Sequence, residues 1–205
     1  MHALRYLRGT WDLGLHYTKP ANSANDYMLF AAEPVGYADA SYGGDDKGKS
    51  RSSFVFLMAG AAVTWFSKKQ PVTALSSTEA ECYALTDAVK EAIWIRRLLE
   101  ELLFPVKNPT ILNQDNQSTI AISTNPIHHH RVKHMLIRMG YTRENIESGA
   151  ISLVYCRTED MVADILTKAL PAAPHRKLTT LLGLRRLSDI QGEMPVAAFT
   201  KFFRF

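Results

Sequence analysis

The chain has 205 residues, 46% hydrophobic and 21% charged, with 24 Lys and Arg against 20 Asp and Glu for a formal net charge of +4. These values fit one folded domain with a sizeable core, with or without an appendage, and argue against disorder except at the ends and against a repetitive or low-complexity chain. The longest nearly apolar run, Phe54 to Phe66, is too short for a bilayer-spanning helix, the N-terminus lacks the apolar stretch of a secretory signal, and Cys82 and Cys156 cannot build a disulfide framework, so an intracellular, reducing compartment without membrane or secretion is expected.

The first 30 residues or so precede the first strong strand pattern and read as an appendage, as does the tail after Leu184, which carries Pro195 and Phe202-Phe203-Arg204-Phe205. Val35 to Tyr42, Ser53 to Ala59 and Ala61 to Ser67 are short, rich in Val, Phe and Trp, and separated by Gly and charged residues, the pattern of three antiparallel strands. From Ser76 the period becomes helical, with Leu85, Ala88, Val89, Ala92, Ile95, Leu99 and Leu102 on one face. Pro109 and Thr110 lead into a fourth strand, Ile111 to Gln114, and Gln117 to Ser123 predicts a short helix stopped by Asn125-Pro126. Ile151 to Cys156 alternates as a fifth strand, Met161 to Ala169 predicts a last core helix ended before Pro171, and Arg176 to Leu182 a small amphipathic one. The order β-β-β-α-β-α-β-α favours an α/β fold with a mixed five-stranded sheet and helices packed on it, over a sandwich or a bundle. Trp65 and Trp94 are expected in the core, and the two cysteines as buried apolar residues rather than nucleophiles.

Basic residues gather at Lys47 to Arg51, Lys68-Lys69, Arg131 to Arg143 and Arg176-Lys177, away from the acids of interest, which allows a nucleic-acid surface beside an acidic site. Asp39 lies mid-strand between Ala38 and Ala40, where a charged residue needs a partner or a water-facing edge. Glu81 stands four residues before Leu85, on the margin of the apolar helix face, although Thr78 with Glu81, or Ser76 with Glu79, could instead form a capping box. Asp115 ends the strand Ile111 to Gln114, the position where ligands bind in open α/β sheets, or else belongs to an Asx turn with Asn116 capping the next helix. Asp164 lies within the last helix among Val162, Ala163, Ile165 and Leu166, and alone would read as solvated. Two acids on neighbouring strands and two on helices packed against them could converge at one end of the sheet. Such carboxylates repel one another unless a divalent cation neutralises them, and oxygen-only ligands suit Mg²⁺ or Mn²⁺.

The runs Tyr37-Ala38-Asp39-Ala40, Lys49-Ser50-Arg51-Ser52-Ser53, Trp65 to Pro71, Leu75 to Glu81, Gln114 to Ser118, Arg131-Val132-Lys133-His134 and Asp160 to Lys168 together resemble the ribonuclease H domain of copia-type LTR retrotransposon Pol polyproteins. Leu4 to Thr10 with Gly14-Leu15 is similar to the end of that family's reverse transcriptase region, so the resemblance divides the chain into a reverse transcriptase remnant (1–30), a ribonuclease H domain (31–184) and a tail (185–205). The sequence departs from the family near Tyr42, where a Trp is usual, and at Leu136 and Gly140, where an Asp and a His are usual.

The resemblance implies a ribonuclease H-like fold and cleavage of the RNA strand of RNA/DNA hybrids during reverse transcription. Asp39, Glu81 (rather than Glu79), Asp115 and Asp164 would be the catalytic acids, holding two Mg²⁺ or Mn²⁺ ions. Lys68, Lys69, Asn116, Arg131, Lys133 and His134 would contact nucleic acid, and the reverse transcriptase region of the same polyprotein would be a partner. The compartment implied is the cytoplasm, within a virus-like particle, or the nucleus. His128-His129-His130 with His134 also admits a zinc reading, but no cysteine pair accompanies it. Two rivals differ in kind. One is a decayed or domesticated copy that only binds nucleic acid or a partner, against which the four retained acids argue; the other is an integrase-like enzyme, whose acids run Asp, Asp, Glu rather than Asp, Glu, Asp, Asp.

Overall fold

A computed structural model describes residues 2–18, 33–44, 48–125 and 135–190. Its elements in chain order are α1 (His2–Gly9), β1 (Leu13–Leu15), β2 (Val35–Ser41), β3 (Arg51–Met58), β4 (Ala61–Lys69), α2 (Ser77–Glu101), β5 (Thr110–Gln114), α3 (Gln117–Thr124), α4 (Leu136–Glu147), β6 (Ile151–Tyr155), a 3-10 turn (Thr158–Asp160), α5 (Asp164–Thr167), α6 (Ala172–Leu181), β7 (Leu184–Arg186) and α7 (Leu187–Ile190).

Five strands form one sheet in the order β4-β3-β2-β5-β6. β2, β3 and β4 are an antiparallel meander, while β5 runs parallel to β2 and β6 parallel to β5. This is the mixed sheet expected from the element order. Alternation along β3 covers both faces. Phe54 and Phe56 pack with Leu85, Ala88, Val89, Ala92, Ile95 and Leu99 of α2, whereas Val55 points the other way, into a cluster with Met161, Val162, Ala163 and Leu182. Gly36 of β2 lies where the first of these layers is tightest: an added Cβ would stand 2.3 Å from Leu112 Cδ2 and 2.6 Å from Phe56 Cε1.

A second, two-stranded sheet pairs β1 antiparallel with β7. Asp12 beside it takes a forked ion pair from Arg186 Nη1, at 2.7 and 2.8 Å.

Three expectations need correction. Trp65 and Trp94 are 57% and 55% exposed. Trp65 sits on the edge strand β4 and Trp94 on the outer flank of α2, so neither is covered. The last core helix is only α5, because Met161, Val162 and Ala163 are buried in the turn before it rather than in its first turn. Helix α4 has no counterpart in the periodicity, since Gly140 lies within it and glycine disfavours helix by about 1 kcal/mol against alanine. Tertiary contacts hold it in place: Met135 and Met139 pack on Cys82, the Thr142 and Thr86 hydroxyls are 3.4 Å apart, and Arg143 Nη2 donates to the Ile122 carbonyl at 3.0 Å.

Candidate metal centre

β2 and β5 run parallel with Val35 beside Ile111 and Tyr37 beside Asn113. The same offset carried forward sets Asp39 level with Asp115, just past the end of β5, where the backbone pairing between the two strands has stopped. This crevice at the carboxyl ends of parallel strands is where open α/β sheets bind ligands. Glu81 enters it from α2, and one carboxylate oxygen from each of Asp39, Glu81 and Asp115 lies within 4.8 Å of the others. Asp39 and Glu81 are buried and Asp115 is half-buried.

The start of α2 separates the roles of its two glutamates. Ser76 Oγ accepts from the Glu79 backbone N–H at 3.1 Å, and Glu79 Oε2 accepts from the Leu75 N–H at 2.7 Å, so Glu79 caps the helix. Glu81 is left to the crevice. Buried Gln114 ties it to Asp115: Gln114 Oε1 accepts from the N–H groups of Asp115 (2.8 Å) and Asn116 (3.1 Å), and Gln114 Nε2 donates towards Glu81 Oε2 at 3.4 Å. Thr158 Oγ1 donates to Asp115 Oδ2 at 3.0 Å.

Asp164 is not one of the three converging carboxylates. It is the buried first residue of α5 and meets Asp39 both directly and through Lys168, whose Nζ is 2.8 Å from Asp164 Oδ1 and 3.3 Å from Asp39 Oδ1. The neighbouring Thr167 Oγ1 donates to the other oxygen of Asp39. Ser53 Oγ fixes the approach to α5 by donating to the Ala163 carbonyl at 3.0 Å.

Electrostatics in the crevice is dominated by burial and repulsion. Burial first, then the charges of Asp39 and Asp115, push Glu81 up to about 9. Burial, then Asp39, push Asp164 up to about 6 against the opposing pull of Lys168. A cation among these oxygens would relieve both effects, and an all-carboxylate set fits a hard divalent ion such as Mg²⁺ or Mn²⁺. Burial also pushes the Cys82 thiol up to about 12, so it is no nucleophile at neutral pH.

Basic residues stand at the same end of the sheet. Lys68 pairs with Ser52 and Ser52 with Ala40, which puts Lys68 two strands, roughly 10 Å, from the backbone beside Asp39. Lys68, Lys69, Lys49 and Arg138 border a cleft of about 400 Å³ that also includes Tyr83 and Asp87. Arg138 stacks 4.5 Å over the Tyr83 ring. Asn116 is half-buried, with its Oδ1 accepting from the Thr119 N–H at 3.0 Å as the N-cap of α3. Arg131, Lys133, His134 and the histidine run 128–130 lie outside the described residues. Four contributors had no role assigned from sequence: Gln114, Thr158, Thr167 and Lys168. Thr167 and Lys168 could have been found as the third and fourth residues after Asp164, one helical turn on.

A meander of three strands, a long helix across one face and two further parallel strands define the ribonuclease H fold. The structure is similar to that of ribonuclease H1 from the halophilic archaeon Halobacterium salinarum, with a TM-score of 0.50 and 16% identity over 65% of this chain and 93% of that one. No family model matches the chain. In sequence it is 36% identical over 185 residues to the retrovirus-related Pol polyprotein from transposon TNT 1-94 of Nicotiana tabacum, covering 88% of this chain and 13% of the relative. It is 33% identical over 182 residues to the Pol polyprotein from transposon RE2 of Arabidopsis thaliana, covering 88% and 12%. The chain is a homologue of copia-type retrotransposon Pol polyproteins. It spans only 13% and 12% of the lengths of these two relatives. Among the described residues no helix is long and apolar enough to cross a membrane.

Proposed function

We propose that this chain is a ribonuclease H that hydrolyses the RNA strand of RNA/DNA hybrids during retrotransposon reverse transcription, using Mg²⁺ or Mn²⁺. The observation that carries the reading is the convergence of Asp39, Glu81 and Asp115 in the crevice, with Asp164 across Lys168 from Asp39. Divalent ions bound there would supply Lewis-acid stabilisation of the charge that develops on a phosphate, and an activated water. Asp39 lies between the two halves of the site and would belong to both ion positions. Glu81 and Asp115 would complete one and Asp164 the other. Gln114 orients two of these groups by holding the backbone at Asp115 and the carboxylate of Glu81. Lys68 and Lys69 would hold phosphates of the duplex on the approach to the crevice. Selection of the RNA strand would rest on its 2′ hydroxyls in the wide minor groove, with no need to read base sequence. The reverse transcriptase region is the expected neighbour in a Pol polyprotein.

The test is cleavage of an end-labelled hybrid with Mg²⁺, run beside Asp39→Asn. The variant should lose at least about a hundredfold in turnover, the scale of removing one charge-stabilising group, while hybrid binding by fluorescence anisotropy stays equal or tightens. Unchanged turnover in Asp39→Asn overturns the assignment. A wild-type chain that binds hybrids but never cuts them would be a binding module instead.

A further inference from the structure

Lys168 holds an unusual place for a lysine. Its ammonium lies between two carboxylates from distant parts of the chain, 2.8 Å from Asp164 Oδ1 and 3.3 Å from Asp39 Oδ1. The carboxylate side chains are 7% and 1% exposed, whereas that of Lys168 is 35% exposed, so the stem leads from solvent into the pair. The residue before it, Thr167, donates to the remaining oxygen of Asp39, so consecutive side chains grip both oxygens of one acid. The backbone of Lys168 is already extended, at φ −126° and ψ 146°, beyond the last helical residue of α5. Its N–H still closes the last turn of α5 on the Asp164 carbonyl at 2.9 Å, while the chain departs from the helix at this residue.

A divalent ion ligated by Asp39 and Asp164 would need their oxygens at about 2.1 Å, in the same gap that the ammonium fills. The ion and the ammonium would compete for the same two carboxylate oxygens. In the other half of the crevice, among the described residues, Glu81 and Asp115 have no ion pair with an ammonium: Asp39, Glu81 and Asp115 face one another, the Gln114 amide and the Thr158 hydroxyl are the hydrogen-bonding neighbours, and Lys168 acts on Glu81 only through its charge.

We propose that Lys168 is a resident cation of the site: in the free protein its ammonium takes the place of the second divalent ion between Asp39 and Asp164. The free chain then binds one divalent ion, at Asp39, Glu81 and Asp115. The second position opens only when Lys168 swings outward along its flexible four-carbon stem. The inference rests on the reading of the acidic crevice as a metal site, and adds that its two halves are unequal before substrate arrives.

Counting Mn²⁺ bound to the full chain without nucleic acid, from loss of the free-ion electron paramagnetic resonance signal in a titration to millimolar metal, tests it. The wild type should bind one ion, Lys168→Met two, and Lys168→Arg one. Two ions on the wild type overturn the role of Lys168 while leaving the metal site standing, and this arm needs no variant to fold. One ion on a Lys168→Met protein with wild-type circular dichroism also overturns it; if that variant fails to fold, Lys168→Gln takes its place with the same criterion. No ion on the wild type would overturn the metal reading itself, and the inference with it.

Discussion

Ser53 and Ala163, 110 positions apart in the chain, are joined by a 3.0 Å hydrogen bond from the Ser53 hydroxyl to the Ala163 carbonyl. Ser53 is the cross-strand neighbour of Asp39, and Ala163 directly precedes Asp164. One buried hydroxyl thus links the strand beside one acid to the turn that presents another. Ser53→Ala should lower stability by about 1–3 kcal/mol, the cost of a buried acceptor left unpaired, in urea denaturation. It should also weaken Mn²⁺ binding. A variant as stable as wild type would show that the Ser53 bond does not place α5.

Stability of the metal-free protein should fall as pH rises. The Glu81 carboxyl is raised from 4.5 to about 9 and that of Asp164 from 3.8 to about 6, burial being the larger cause in each. Between each pair of values the folded chain holds a proton that the unfolded chain has released, so raising pH favours unfolding. Full stability from these groups belongs below the lower values and is lost on the way to the upper ones. Urea midpoints measured across the window should decline, Glu81→Gln should flatten the slope above the Asp164 range, and Mg²⁺ should stabilise most at its alkaline end. A flat profile in the wild type would show that the crevice does not retain its protons.

Neutralising Lys68 and Lys69 together should weaken binding to every hybrid sequence alike. For each phosphate left without its lysine, the slope of log affinity against log salt should fall by about 0.9, the value for a regular duplex. The melting temperature should barely move, since exposed ion pairs contribute only about 0–1 kcal/mol. Wild-type affinity and slope in the double variant would place the hybrid elsewhere on the surface.

Gly36→Ala is a test of the core rather than the site. The new methyl would meet Leu112 at 2.3 Å and Phe56 at 2.6 Å, and overpacking of this kind costs about 1–3 kcal/mol. A loss in that range by thermal or urea denaturation is expected, and a variant of undiminished stability would mean that the α2 face of the sheet is looser than these distances imply.

The strands and α2 were legible because burial imposes its own period on the sequence. Phe54, Val55 and Phe56 alternate between two covered faces, and Leu85, Val89, Ala92 and Leu99 recur at helical spacing on one. Helix α4 was not, because it depends on Met139 and Thr142 meeting α2 rather than on a local pattern. In the site, the Ser76–Glu79 cap was open to reading, but whether it or Thr78–Glu81 formed depended on the turn of α2 against the sheet. Lys168 was harder still. Four residues after Asp164 it reads as a routine surface pair, and its contact with Asp39 spans 129 positions, which no local spacing reveals.

The pairing of β1 with β7 has a mechanical consequence. The strands are antiparallel, with Leu13 opposite Arg186 and Leu15 opposite Leu184, so the chain runs into one strand and out of the other at the same end of the ladder. Tension applied on either side would open this ladder rung by rung from the Leu13–Arg186 end, instead of shearing all its rungs at once. The forked Asp12–Arg186 pair stands at that end and would bear the load first. Pulling therefore meets a zipper before it meets the sheet, and the crevice would keep its shape until the zipper has parted.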